Sequence, residues 1–276
     1  MTDTKLESST VFSYDDTDIY LTYDHARALP RASLRQWLDR ISYYLRRKRI
    51  RNIIDVGCGT GRFSEALSKY FHATVYAVDP SEKMLSVARK KHPRNIKFMQ
   101  GAAERLPVPD ASMDVVFLSM VLHHIVDKKK ACSEFHRVLV SDGILVIRTS
   151  TLETLQSHIW LSFFPEAEEI ERQRIPSQSE VIETLTSNHF TLREHEVLKQ
   201  HGYARNLDEY CQKIAARGQS SLREISNDAF QSGIRRMYQA RRHMPDRPVD
   251  TWTDLFIFEK TSDRAIPGPF ADSREN

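Results

Sequence analysis

Ile53-Ile54-Asp55-Val56-Gly57-Cys58-Gly59-Thr60-Gly61 decides the fold. Residues 53–56 are a short apolar run of strand character, and three glycines follow at every second position. Glycine permits a tight strand-to-helix turn and lets a ligand approach the backbone closely. A structural turn needs only one such residue. Residues 62–70 then take helical spacing, with Phe63, Ala66, Leu67 and Tyr70 on one face. Asp79 stands 22 residues after Gly57, at the end of a second apolar run. In a doubly wound sheet that carboxylate accepts hydrogen bonds from a ribose. A nicotinamide or flavin dinucleotide fingerprint, G-x-G-x-x-G/A, needs a small third residue at position 62. Arg62 stands there and the spacing is G-x-G-x-G, which argues against a dehydrogenase.

Strands and helices alternate outward from this stretch. Residues 74–78 read as a second strand, and Ser81 as the cap of a helix with Met84, Leu85 and Ala88 inward. Residues 96–99 are a third strand. Residues 115–119 are the most apolar, as a central parallel strand should be. Asp127 caps a helix bearing Ala131, Phe135, Val138 and Leu139, and Asp142-Gly143 turns into a fifth strand at 144–147. This alternation predicts an α/β fold with a doubly wound, mostly parallel sheet. Upstream, Leu34, Trp37, Leu38, Ile41 and Leu45 mark a helix. The cluster Arg46-Arg47-Lys48-Arg49 closes it as a solvated end, with RNA phosphate contact as the sharper alternative.

The second half is less regular. Trp160, Phe163 and Phe164 stand in an aromatic stretch, and Ser177 with Glu180 forms a capping box for a helix reaching about Phe190. Residues 192–198 read as a strand. Asn206 and Glu209 open a helix stopped by Gly218. Leu222, Ile225, Ala229, Ile234 and Met237 mark one longer helix, and residues 252–259 a last strand. We expect one domain with insertions: an N-terminal lid and helix over 1–49, a cofactor-binding core over 50–150, the rest of the sheet with helical cap insertions over 151–260, and a disordered tail over 261–276.

Among 276 residues, Lys plus Arg number 40 and Asp plus Glu 37, a net charge of +3. That balance argues against a dedicated nucleic-acid binder. Cys58, Cys132 and Cys211 have no metal-binding spacing and read as reduced intracellular thiols. The polar N-terminus has no signal-peptide pattern. The longest nearly apolar run, 115–122, falls far short of the roughly 20 residues that span a bilayer. The expectation is a cytoplasmic protein.

Further segments repeat the pattern of a known family. Residues 54–61 resemble motif I of the class I S-adenosylmethionine-dependent methyltransferases. Tyr76-Ala77-Val78-Asp79-Pro80-Ser81 resembles their ribose-binding acidic motif, and Gly101-Ala102-Ala103-Glu104 their adenine-contacting loop. Residues 114–118 followed by Val121-Leu122-His123-His124 resemble the central strand and its substrate-facing exit. The likeness covers about residues 50–150 and is closest to the ubiquinone- and menaquinone-biosynthesis type. It implies a sheet with an antiparallel last strand, S-adenosylmethionine as cofactor and a small-molecule acceptor. It also implies cofactor contacts at Arg27, Asp55, Gly57, Gly59, Gly61, Asp79, Pro80, Ala102, Ala103 and Ser119. One departure is Ala102, where the family often has an aspartate that meets the adenine amino group.

Methyl transfer from a sulfonium mainly requires alignment and exclusion of water, and a base only where the acceptor must lose a proton. His123 and His124 follow the fourth strand, with His124 the candidate base and His123 a substrate contact. Tyr14, Tyr20 and Tyr23 are expected in a lid, with Tyr20 and Tyr23 on the substrate. Trp160 and Phe164 are expected to line a pocket for an apolar or planar acceptor. Ser119-Met120-Val121-Leu122 lacks an Asn/Asp-Pro-Pro-Tyr type tetrad, and no Asp…Asp-Asn set implies a metal. An RNA methyltransferase and a non-catalytic, cofactor-binding regulator are the alternatives.

Overall fold

The computed structural model describes residues 15, 18–46, 48–91 and 95–261. Tyr14 and the tail beyond 261 lie outside the described residues. Seven strands form one sheet in the order β3-β2-β1-β4-β5-β7-β6. They are β1 (Asn52–Val56), β2 (Thr74–Asp79), β3 (Ile96–Gln100), β4 (Met113–Ser119), β5 (Leu139–Thr149), β6 (Phe190–Ala204) and β7 (Val249–Lys260). The first five run parallel, and β7 is antiparallel to both β5 and β6. Chain order reverses between β1 and β4, which opens a crevice beyond their carboxyl ends.

The strands alternate their side chains between two buried faces. Ile54, Val56, Val116, Leu118, Leu145 and Ile147 face helices Lys128–Val138 and Gln178–Thr186. Ile53, Val75, Val115, Phe117, Ile144 and Val146 face helices Arg31–Leu45 and Arg62–Phe71. A third apolar cluster belongs to the cap, built from Trp160, Phe164, Tyr210, Ile214, Leu222 and Phe230. The expected caps form: Ser81 Oγ accepts from Met84 N at 3.1 Å, Asp127 from Lys130 N at 2.9 Å and Asn206 from Glu209 N at 2.9 Å. Ser177 and Glu180 close a capping box.

Asp142-Gly143 lies in an irregularity of β5: a Cβ on Gly143 would stand 2.9 Å from Leu139 Cβ, so the chain folds back there, and regular pairing with β4 resumes at Ile144, as expected. Three local expectations are corrected. Gln178–Thr186 stops short of Phe190, which instead opens β6. Residues 222–237 are two helices, Ser221–Glu224 and Asn227–Arg241, because Ile225 turns extended and Ser226 Oγ caps the second by accepting from Ala229 N at 3.1 Å. Helix Leu207–Ala215 is ended by Arg217, the left-handed residue at φ 55°, not by Gly218. Gly218 serves packing: a Cβ there would lie 2.3 Å from Ala26 Cβ. No helix among the described residues is long and apolar enough to cross a membrane.

Candidate functional site

The glycine turn leaves β1 with Gly57, Gly59 and Gly61 all left-handed, at φ 70°, 55° and 80°. Gly57 has a second constraint, since a Cβ there would stand 2.4 Å from the Val121 side chain. Gly57 N and Cys58 N both donate to Val78 O, at 2.7 and 3.0 Å, so the turn is tied to the end of β2. Asp79 completes that tie. Its Oδ2 accepts from Gly59 N at 2.8 Å and its Oδ1 from Ser81 N at 2.9 Å. Burial raises its carboxyl to about 6, while those two backbone donors pull it down. Asp55 is deeper: Ser64 Oγ donates to it at 2.6 Å, and burial raises it to about 7. Its observed contact clips helix Arg62–Phe71 to β1.

Helix Ile19–Ala26 lies over this turn. Tyr23 is the side chain nearest to Gly59. Asp24 accepts from Thr60 Oγ1 at 2.6 Å and pairs with Lys91, and Arg62 donates to the Arg27 carbonyl. Asp15 accepts from Ser81 Oγ at 2.5 Å and from Lys83 N at 3.2 Å, beside the ribose-side carboxylate. On the far side of Asp79, Gln100 Nε2 donates to Pro80 O at 3.1 Å, and Ala102 bridges Arg105 with Ala103 buried behind it.

Beyond β4 the chain turns through Met120, a non-glycine residue at φ 60° held by its N–H on Arg148 O at 2.8 Å. Such strain gathers at functional sites. The 3-10 turn Leu122–His124 follows, with the two imidazoles 4.1 Å apart. Both line a cavity of about 80 Å³, together with Tyr23, Arg27, Arg148 and Trp160. Burial, then the charges of Arg174 and Arg27, lowers His124 to about 3; His123 is pushed well below the ordinary value, chiefly by burial. Both rings are therefore neutral at pH 7.

The turn, Asp79, Tyr23, Arg27, His123, His124 and Trp160 thus come together at one end of the sheet. Ser119 Oγ also belongs here, accepting from Arg148 at 3.2 Å. Two expected substrate contacts do not. Phe164 is wholly buried in the cap, stacked on Phe230 at 5.9 Å and packed over Gly233. Tyr20 stands near Lys83 and is absent from the cavity wall. The lining is also less apolar than expected: Arg62, Arg148, His158, Glu171, Gln200 and Gln219 share it. Arg148 and Gln200 are residues that sequence reasoning missed. The signal for Arg148 was a charge standing directly after the apolar run 144–147. The basic cluster after helix Arg31–Leu45 makes intramolecular contacts: Lys48 pairs with Asp142 at 2.9 Å, and Arg46 covers Tyr43.

Residues 54–147 match the family profile described as "Methyltransferase domain". The chain is 39% identical over 113 residues to the ubiquinone/menaquinone biosynthesis C-methyltransferase of Campylobacter jejuni, covering 39% of this chain and 47% of that one. It is 40% identical over 95 residues to the demethylmenaquinone methyltransferase of Chlorobaculum tepidum, covering 34% and 39%. The match spans about half the length of these curated relatives, or less. Among solved structures, a protein of Anabaena variabilis provisionally described as a methyltransferase of an antibiotic biosynthesis pathway superposes with a TM-score of 0.64. Its identity is 24%, covering 84% of this chain and 98% of that one, a likeness of fold. Residues 54–147, which carry the glycine turn and Asp79 at the centre of the seven-stranded sheet, are thus the part of this chain that is similar to a methyltransferase domain.

Proposed function

We propose that this chain is an S-adenosylmethionine-dependent methyltransferase acting on a small molecule in the cytoplasm. The observation that carries this reading is the left-handed glycine turn with the Asp79 carboxylate on the Gly59 N–H, at the point where strand order reverses. The fit to the cofactor rests on three features. The turn has no Cβ at Gly57, Gly59 or Gly61 to obstruct a ligand. Asp79 presents a carboxylate at the end of β2 for ribose hydroxyls. Arg27 and Arg62 flank the turn where a methionine carboxylate would lie. Pro80, Ala102 and Ala103 border the adenine side, with Ala103 N–H as the available ring contact in place of the missing aspartate. When bound, S-adenosylmethionine supplies an activated methyl on a sulfonium sulfur for direct in-line displacement.

The protein's part is alignment and dryness. Helix Ile19–Ala26 covers the turn and excludes water, with Tyr23 over Gly59. His123 and His124 border the acceptor cavity as neutral rings, each offering one acceptor and one donor nitrogen. A ring lowered to about 3 is a poor general base at pH 7. The reading therefore gives His124 an orienting hydrogen bond to the acceptor, and Trp160 one wall for its planar part. Three free cysteines agree with a reducing compartment.

Mass spectrometry of natively purified protein tests the reading, followed by transfer of labelled methyl from S-adenosylmethionine to compounds extracted with it. S-adenosylmethionine or S-adenosylhomocysteine in the eluate and label on a small molecule are expected. Label on RNA alone would move the assignment to the RNA alternative.

A further inference from the structure

Arg148 sits near the end of β5 with 4% of its surface exposed. Its Nη2 donates to Gln200 Oε1 at 2.7 Å and its Nη1 to Ser119 Oγ at 3.2 Å, both neutral acceptors. The guanidinium lies over Trp37 at 4.6 Å, and its Nε is buried without a partner. Burial lowers it to about 9, which still leaves it charged at pH 7. No carboxylate among the described residues pairs with it. A buried cation without a counter-charge is costly, and arginine is the side chain best shaped to grip an oxyanion.

The surroundings agree. Six buried side-chain polar atoms lack a partner among the described residues, and four belong to residues on the wall of this one cavity. They are Arg148 Nε, Arg62 Nε, His123 Nδ1 and Gln219 Oε1. Arg62 also flanks the glycine turn and is counted on the cofactor side, which leaves Arg148 Nε, His123 Nδ1 and Gln219 Oε1. The carboxylate in the wall, Glu171, is already engaged by Ser221 Oγ at 2.5 Å and Arg174 at 3.2 Å. Native proteins pair their buried polar groups, so such a concentration marks where a polar ligand belongs.

We propose that the acceptor carries an oxyanion, a carboxylate or phosphate group, and that Arg148 binds it between Ser119 and Gln200. The methyltransferase reading supplies the word acceptor; the anion subsite stands on the cavity itself. Arg148 shares the cavity wall with Arg27 and Arg62, so the cofactor's own carboxylate is the rival occupant that the test must separate. Arg148 lies on β5, two strand spacings or roughly 10 Å from the glycine turn on β1, on the side away from Asp79. Arg27 and Arg62 are the cations beside the turn.

The test uses acetate, small enough for the cavity, and acetamide as its neutral isostere. Both are titrated into protein with and without S-adenosylhomocysteine at fixed ionic strength, followed by thermal shift and calorimetry. Acetate is expected to stabilise the wild type saturably and to bind at least about tenfold more tightly than acetamide. Gln200→Glu places a carboxylate on Arg148; it should abolish the acetate response and leave the Kd for S-adenosylhomocysteine within about twofold. Arg148→Gln should lose the same response, and Arg148→Lys keep part of it. Equal behaviour of acetate and acetamide, which is what a water-filled cavity gives, would overturn the proposal. So would an acetate response that survives Gln200→Glu, or a large loss of S-adenosylhomocysteine affinity in that variant, which would assign the anion to the cofactor. Wild-type protein that binds no S-adenosylhomocysteine would sink the methyltransferase reading, while the acetate titration without it still decides the subsite.

Discussion

Asp79 carries the largest single expectation at the residue scale. Replacing it by Ala removes hydrogen bonds to a charged group, worth about 1.5–3 kcal/mol, so the Kd for S-adenosylhomocysteine should rise roughly 10- to 150-fold. Isothermal titration checks this, with circular dichroism to show that the fold survives. The pH dependence follows from the same group. Its carboxyl is raised to about 6 by burial, and ribose hydroxyls favour the ionised form. Affinity should therefore be constant above that value and weaken as the pH falls through it, and Asp79→Asn should flatten the profile. Asp55 has the opposite sign, and it acts on stability. A carboxyl raised to about 7 from 3.8 is disfavoured as an anion in the fold, so its ionisation lowers stability as the pH rises through that window. Asp55→Asn should raise Tm relative to wild type more at pH 8 than at pH 5, since Asn keeps an acceptor for Ser64. The glycines and Asp79 were legible from spacing alone. Arg148 was less so, because its importance lies in the carboxylate it lacks, and partners are invisible in a sequence.

The N-terminal helix invites a prediction at the scale of elements. Helix Ile19–Ala26 is fastened to the turn through Asp24, which accepts from Thr60 and pairs with Lys91. Asp24→Ala should loosen the lid and speed S-adenosylhomocysteine release severalfold, read by stopped-flow fluorescence, with a smaller change in the association rate. Elements with strong periodicity and a local cap were legible, such as Lys128–Val138 behind Asp127 and Gln178–Thr186 behind Ser177. The break at Ile225-Ser226 was not, because apolar spacing continues across it from Leu222 to Met237. The competing signal was Ser226 at the cap position.

The whole molecule is a sheet with a cofactor crevice at its switch point, an N-terminal helix over one side and a cap over the other. The parallel core was legible because fully buried strands are continuous apolar runs. The cap was not, because its cluster gathers Trp160, Tyr210, Leu222 and Phe230 from distant segments. That is why Phe164 read as a pocket residue and proves to be cap core. A ligand that binds only the folded crevice stabilises it by mass action, about 2.7 kcal/mol at a hundredfold excess over Kd. Calorimetric titration of the purified chain with S-adenosylhomocysteine, and in parallel with a nicotinamide dinucleotide, tests the central claim most directly. The account predicts saturable one-to-one binding of S-adenosylhomocysteine, weakened in Asp79→Ala, and no heat from the dinucleotide. Binding of the dinucleotide with none of S-adenosylhomocysteine would contradict it.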